Sequence, residues 1–166
     1  METTVWGTGS GMDRVERIRE QLDSPEPAPA PYDLLGMRFV RAEKGRVEFT
    51  WTPGARVLNR GGVVHGGYVA TALDEASGVS AMSMSDPVTP FLTMSLNVDY
   101  LRPLLPGQEY TVVGSVLHGG RQRVLSHATI TDSLGRLCAQ ATASMTPNRV
   151  LLESRTGSSA PHDQGA

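Results

Sequence analysis

The residues best suited to chemistry lie at and after a pair of glycines near the middle of the chain. Gly66 and Gly67 open a stretch with helical spacing of apolar residues, and Asp74 lies within it. The N–H groups in the first turn of a helix have no partner inside the helix, and with the helix dipole they stabilise negative charge. A carboxylate can act as a general base or as a nucleophile. Together, these features suit a reaction in which an oxygen atom becomes negatively charged.

Asp74 falls on a stripe of small residues along this predicted helix. At about 100° per residue, Gly67, Thr71, Asp74 and Gly78 share one side. Another side is apolar and is expected to face a sheet: Val69, Leu73, Ala76 and Val79. Glycine inside a helix costs about 1 kcal/mol relative to alanine, so the stripe suggests space for a ligand or a partner chain. The alternative is a solvated carboxylate on an exposed helix face.

The surrounding helix and strands are predicted from the spacing of apolar residues, which changes along the chain between helical spacing and alternation. The runs MRFVRAE and RVEFTWT form a hairpin about Lys44-Gly45, a helix follows over about 64–80, and residues 92–100 alternate with period two. Later strands are expected at 108–118, 122–131 and 136–146, with turns at 118–120 and 132–135. Such short connections imply antiparallel neighbours. The predicted fold class is therefore α+β, with one long helix on one curved antiparallel sheet.

Composition limits the function classes. The chain has 166 residues, of which 39% are hydrophobic and 19% charged, and its net charge is −2. This suits a globular domain with no basic surface, so nucleic acid is not an expected partner. No apolar stretch reaches the roughly 18 residues of a membrane span, and the start of the chain does not resemble a signal peptide. With Cys138 as the single cysteine, a cytoplasmic location is expected.

Three regions are predicted along the chain. Residues 1–31 form an N-terminal extension, with a short amphipathic helix over 12–22 and a proline-rich linker. Residues 32–147 form the main domain. Residues 148–166 form a flexible tail without apolar periodicity.

The segment Asn59-Arg-Gly-Gly-Val-Val-His-Gly-Gly-Tyr-Val-Ala-Thr-Ala-Leu-Asp74 resembles hot-dog-fold thioesterases of the PaaI-like and 4-hydroxybenzoyl-CoA thioesterase groups. The matching pattern is Asn, a His-Gly-Gly motif and a carboxylate at the spacing found here. The runs Asp-Tyr-Leu-Arg-Pro (99–103) and Gly-Gly-Arg (119–121) are similar to the family as well. The resemblance covers about residues 32–147. A second His-Gly-Gly, at 118–120, lies in a predicted turn and is interpreted as structural.

The resemblance implies a role for each matching residue. Asp74 is the carboxylate that activates water or attacks directly, and the Gly66 N–H is the oxyanion donor. Asn59 helps to hold the nucleophile or the substrate carbonyl, and His65 supports the loop or contacts the carbonyl region. Thr93 lies where PaaI-like members carry a hydroxyl that assists the water. From the residues alone, Asn59 could be a turn residue and His65 a helix cap.

The implied substrate is an acyl-CoA or an acyl carrier protein, with coenzyme A as part of the substrate and no other cofactor. Arg102, Arg121 and the adjacent Gly120 are candidates for binding CoA phosphates, and Gly67 for close approach of the substrate. Met94 is a candidate for lining an acyl pocket. The alternatives are surface charges for the two arginines and core filling for the methionine.

Spacing adds a constraint that is independent of the resemblance. Gly66 and Asp74 are eight residues apart, which is about 12 Å along a helix at 1.5 Å per residue. One thioester carbonyl cannot lie within hydrogen-bond distance of both. The site is therefore expected to lie across the two-fold interface of a homodimer, with two equivalent sites. Further pairing into a homotetramer is also expected.

Three functions are considered. Hydrolysis of an acyl thioester fits best, because a thiolate leaves readily and the reaction needs only an oxyanion donor and a base or nucleophile. The alternatives are a hot-dog hydratase or dehydratase and a non-catalytic acyl-thioester binder.

One family lineage carries Glu at the catalytic position and a hydroxyl residue one turn later, whereas this sequence has Asp74 and Gly78 at those positions. The sequence has no Gly-x-Ser-x-Gly motif and no metal-ligand spacing.

Overall fold

The computed structural model describes residues 34–85 and 89–148, together with residues 16 and 18–20. One long helix, α1, lies against a six-stranded antiparallel sheet of order β1-β2-β4-β5-β6-β3. The elements are β1 (Met37–Glu43), β2 (Arg46–Trp51), a 3₁₀ turn (Ala55–Val57), α1 (Gly66–Met82), β3 (Phe91–Tyr100), β4 (Tyr110–Gly119), β5 (Val124–Asp132) and β6 (Leu137–Pro147). The predicted α+β class is confirmed.

Most of the predicted N-terminal helix, the proline-rich linker and nearly all of the C-terminal tail lie outside the described residues. Residues 16 and 18–20 are helical, and Ile18 is fully buried in the main hydrophobic core. The Arg19 guanidinium lies 5.7 Å from the centre of the Phe39 ring. This part of the extension therefore packs against the domain. No helix in the described ranges has the length and apolar character needed to cross a membrane.

The apolar face of α1 packs into the core as predicted. Val69, Leu73, Ala76 and Val79 are each 3% exposed or less. They belong to the same cluster as the large buried side chains of the sheet, which are Phe49, Trp51, Val112 and Ile130. The stripe through Gly67 and Asp74 is not among the buried residues. The helix thus buries one side and leaves the chemically interesting side accessible.

Gly114 sets the closest approach between α1 and the sheet. A Cβ atom built at Gly114 would lie far inside van der Waals contact of the Ala76 carbonyl oxygen, and 3.2 Å from the Ser77 nitrogen. Backbone atoms of a packed helix cannot move aside cheaply. Only glycine therefore fits at this point of β4.

We expect Gly114→Ala to lower the free energy of unfolding by about 2–3 kcal/mol, since overpacking of a core typically costs 1–3 kcal/mol. The matched control is Gly78→Ala in α1, where the added Cβ meets only Met145 Cε, at 3.9 Å. That change should be neutral or should stabilise by up to about 1 kcal/mol. Urea denaturation of both variants measures the difference. Equal stabilities would show that the helix shifts freely on the sheet.

A β-bulge in β3 changes which side chains face the helix. The pairing of β3 with β6 shifts between Thr93 and Ser95. Before the shift, Thr93 faces α1, and after it Leu96 and Val98 pack against the core. Strict alternation from 92 to 100 would put Thr93 and Leu96 on opposite faces of the strand. This prediction is wrong, because the extra residue of the bulge exchanges the two faces for the residues that follow it.

Strand β3 lies at an edge of the sheet, and among the described strands it pairs only with β6. Three of its apolar side chains are largely exposed: Leu92 at 50%, Met94 at 61% and Tyr100 at 55%. An edge strand of ten residues presents unpaired backbone groups to any strand that can lie beside it. This edge is therefore suited to pairing with another chain.

Candidate active site

The carboxylate of Asp74 is held by a residue of the edge strand. Thr93 Oγ1 donates a hydrogen bond to Asp74 Oδ1 at 2.9 Å. Asp74 is half-buried, and within the described residues it has no other hydrogen bond and no ion pair. Its second oxygen, Oδ2, is therefore available to accept a proton from water or to attack an electrophile. The structure brings these two predicted residues together, and the bulge makes their contact possible.

The start of α1 leaves one N–H group without a partner. His65 is the N-cap, and its Nδ1 accepts a hydrogen bond from the Gly67 N–H at 3.0 Å. The His65 carbonyl accepts from the N–H groups of Tyr68 and Val69. In the described part of the chain, the Gly66 N–H donates to no acceptor. The helix-cap interpretation of His65 is thus confirmed, and Gly66 rather than Gly67 retains a free donor.

The cap also fixes the tautomer of His65. A ring nitrogen that accepts a hydrogen bond carries no proton, so the ring proton is on Nε2. The His65 side chain is exposed, and its Nε2–H can point to a ligand or to solvent. His65 therefore shapes the helix start through one nitrogen and keeps a second donor close to Gly66.

Tyr100 was not among the predicted site residues. Its hydroxyl donates to the Gly66 carbonyl oxygen at 3.0 Å, and its ring lies 3.4 Å from where a Gly66 Cβ would be. The sequence pattern marked it only as an apolar strand residue and as part of the Asp-Tyr-Leu-Arg-Pro run. The one indication of a role in the site is that this run also contains Arg102, a candidate for CoA binding. Alternation alone could not show which part of α1 it reaches.

Asn59 is engaged within its own loop. Its side-chain oxygen accepts from the N–H groups of Gly61 at 2.8 Å and Val63 at 3.4 Å. Its backbone N–H donates to the Val63 carbonyl at 2.8 Å. These bonds match the turn-residue alternative, and they leave the side-chain NH₂ group without a described partner. Asn59 therefore shapes the loop before α1 and makes no contact with Asp74 in the same chain.

The predicted CoA-binding residues are dispersed. Arg102 donates through Nη1 to the Leu137 carbonyl, so part of its guanidinium is tied to the start of β6. Arg121 is exposed and has no described partner, and the neighbouring Gly120 N–H closes the β4–β5 turn on the Arg123 carbonyl at 2.9 Å. Met94 projects from the edge strand at 61% exposure. None of these residues meets Asp74 within one chain.

Cys138 is a poor candidate for a nucleophile. It is 2% exposed, and its thiol lies 3.4 Å from the Arg136 carbonyl oxygen. Burial raises the pKa of Cys138 above its usual value, so the thiolate is scarce at neutral pH. The residues that the structure describes also contain no group of three His, Cys, Asp or Glu placed to hold a metal ion. Asp74 is left as the best-placed reactive group.

Gly66 and Asp74 belong to the same uninterrupted helix, as the spacing argument requires. At 1.5 Å per residue they are about 12 Å apart along its axis. The free N–H and the carboxylate thus cannot serve one carbonyl group within a single chain.

Comparisons with known proteins agree with this architecture. Residues 61–139 match the family model described as the thioesterase superfamily. The relative SSO1253 of Saccharolobus solfataricus is 30% identical over 127 residues, covering 76% of this chain and 81% of its own. Human acyl-coenzyme A thioesterase 13 is 28% identical over 127 residues, covering 75% of this chain and 90% of its own.

A solved structure of similar fold can be compared with this chain over most of its length. Protein smu.793 of Streptococcus mutans, determined bound to acetyl-CoA, is 29% identical, with a TM-score of 0.64 over 68% of this chain and 88% of that one. The expected hot-dog fold, one long helix on a six-stranded antiparallel sheet, is confirmed. The chain belongs to the thioesterase superfamily.

Proposed function

We propose that this protein is an acyl-CoA thioesterase, which hydrolyses the thioester to a free acid and coenzyme A. The observation that supports it most is the pairing of Asp74 with Thr93 at one end of β3, while at the other end Tyr100 lies beside Gly66, whose N–H has no acceptor among the described residues. The names of two relatives support the substrate class, since one is an acyl-CoA thioesterase and one was solved with acetyl-CoA.

The proposed site forms between two copies of the chain. Strand β3 runs alongside α1, with Thr93 beside Asp74 and Tyr100 beside Gly66. The proposed dimer pairs two copies antiparallel through their β3 edges, in the register that puts the two-fold axis between Leu96 and Asn97. Each Asp74 then lies near Gly66 of the partner subunit. The geometry that separates these groups in one chain would bring them together in a homodimer.

The chemistry follows from these positions. The thioester carbonyl oxygen accepts a hydrogen bond from the Gly66 N–H of the partner subunit. Asp74 takes a proton from a water molecule, the water oxygen attacks the carbonyl carbon, and the developing oxyanion is stabilised at the helix start. The C–S bond then breaks, and the thiolate of coenzyme A receives the proton from Asp74. Direct attack by Asp74, followed by hydrolysis of the mixed anhydride, would give the same products.

Thr93 has a supporting part in this scheme. Its hydroxyl proton is directed to Asp74 Oδ1, so its lone pairs can accept a hydrogen bond from the attacking water. The same bond fixes the carboxylate orientation and leaves Oδ2 to receive the water proton. His65, Asn59, Arg102 and Arg121 are proposed to contact other parts of the substrate.

A panel of acyl-CoAs tests the proposal. Aromatic, short aliphatic, medium-chain and enoyl-CoAs are incubated with the protein, free thiol is followed with a chromogenic disulfide, and hydration is followed by the loss of enoyl absorbance. A thioether analogue of each substrate, in which hydrolysis is impossible, reports binding alone. Thiol release from at least one thioester is expected. Hydration of an enoyl-CoA without thiol release would indicate a hydratase, and binding without turnover would indicate a binding protein; either result overturns the proposal.

A further inference from the structure

We infer that Tyr100 is a positioning residue, which holds the start of α1, and with it the Gly66 N–H, in place against strand β3 through a hydrogen bond to the Gly66 carbonyl. The inference rests on the proposed function and adds a residue to it. Tyr100 Oη donates to the Gly66 carbonyl at 3.0 Å. Gly66 carries the free N–H proposed as the oxyanion donor, and glycine has more backbone freedom than any other residue. A hydrogen bond from another element limits how far this part of the helix start can move.

The two peptide groups that flank Gly66 are held in different ways. The peptide between His65 and Gly66 is fixed by its carbonyl, which accepts from the Tyr68 N–H at 2.9 Å and the Val69 N–H at 3.3 Å. The next peptide is fixed at its N–H end by His65 Nδ1 and at its oxygen by Tyr100. Among these contacts, Tyr100 is the one that comes from another element. It therefore ties the helix start to strand β3.

The ring of Tyr100 has a separate steric effect. Its Cε1 and Cζ atoms lie 3.4 Å from the position of a Gly66 Cβ, so the ring covers one side of the glycine. The side chain is nevertheless 55% exposed on the strand edge. Loss of the hydroxyl alone would thus remove the bond to the Gly66 carbonyl and leave the ring packing in place. Little cost in stability is expected, because the packing contacts of the ring are unchanged.

Tyr100→Phe separates these effects. Small misplacement of a catalytic donor lowers turnover more than binding, so we expect kcat to fall about fivefold to tenfold with KM changed by less than about twofold. The thermal midpoint and the dimeric state should not change. The matched control is Tyr110→Phe, whose hydroxyl is 2.7 Å from the Leu105 N–H in a structural loop. It should lower stability and keep kcat, the reverse of the result for Tyr100.

Combining Tyr100→Phe with Gly66→Pro tests whether Tyr100 acts on turnover through the Gly66 N–H. Gly66→Pro removes the N–H itself, so adding Tyr100→Phe to it should lower kcat no further. A further fivefold loss in that background would show that Tyr100 acts elsewhere, and would overturn the inference. Unchanged kcat in Tyr100→Phe, with low kcat in Gly66→Pro, would overturn the inference and leave the proposed function intact. Full activity in Gly66→Pro would overturn both the donor and the role of Tyr100.

Discussion

Asp74→Asn is expected to reduce thiol release from acyl-CoA by about 10²–10⁴-fold, the range of a positioned general base. The substitution preserves shape, and the amide oxygen can still accept the Thr93 hydroxyl that now donates at 2.9 Å. An amide can neither take a proton from water nor form a mixed anhydride. The loss should therefore appear in kcat, whereas binding of a thioether analogue and the thermal midpoint should stay close to wild type.

Glu48→Gln is the control for removal of a carboxylate. Glu48 accepts from Arg41 at 2.8 Å on β2, and three strands separate it from β3. Its exchange should leave kcat and KM unchanged. If Asp74→Asn retained more than about a tenth of wild-type kcat, Asp74 would be a solvated carboxylate on a helix face, and the catalytic role would be refuted.

Much of the fold could be predicted because the spacing of apolar residues changes clearly between helix and strands. The β1–β2 hairpin follows from two strand-like runs, of which the second alternates, and from Gly45, whose φ of 79° suits glycine. Helix α1 begins within two residues of the predicted start and buries the predicted face. The turn at 132–135 forms as expected, with Asp132 accepting from Leu134 and Arg136 and with Gly135 at φ 73°. Each of these features depends on local residue types.

The site was harder to predict, because two of its contacts depend on long-range register. Thr93 reaches Asp74 only because a bulge reverses the phase of β3, and one extra residue in a strand leaves no clear mark in the alternation. Tyr100 reaches Gly66 over 34 positions of sequence. The resemblance to the family identified Thr93 from its position in the sequence, whereas no pattern in the sequence identified the partner of Tyr100.

Gly66→Pro is expected to lower kcat by about 10²–10³-fold, the effect of removing one oxyanion donor. Proline suits this site, since Gly66 is the first helical residue, where proline is favoured. The preceding residue, His65, has φ −65° and ψ 135°, which is the conformation that proline requires before it. The variant should therefore fold, dimerise and bind the thioether analogue, and lose turnover.

Gly66→Ala is the matched control. It keeps the N–H and adds a Cβ atom about as close to the Tyr100 ring, at 3.4 Å. We expect it to retain most of the kcat, so that a difference between the two variants reports the N–H alone. Equal losses in both would assign the effect to crowding by the side chain, and would contradict the oxyanion role.

Mixing the two inactive variants tests whether the site spans two chains. In a heterodimer of Asp74→Asn and Gly66→Pro, one site carries both changes and the other carries neither, because each site takes its carboxylate and its N–H from different subunits. Random reassembly of equal amounts makes half of the dimers mixed, so about a quarter of wild-type activity should return. If both groups acted from one chain, every site would lack one of them. Mixed dimers verified by mass spectrometry that stay inactive would therefore exclude the shared site.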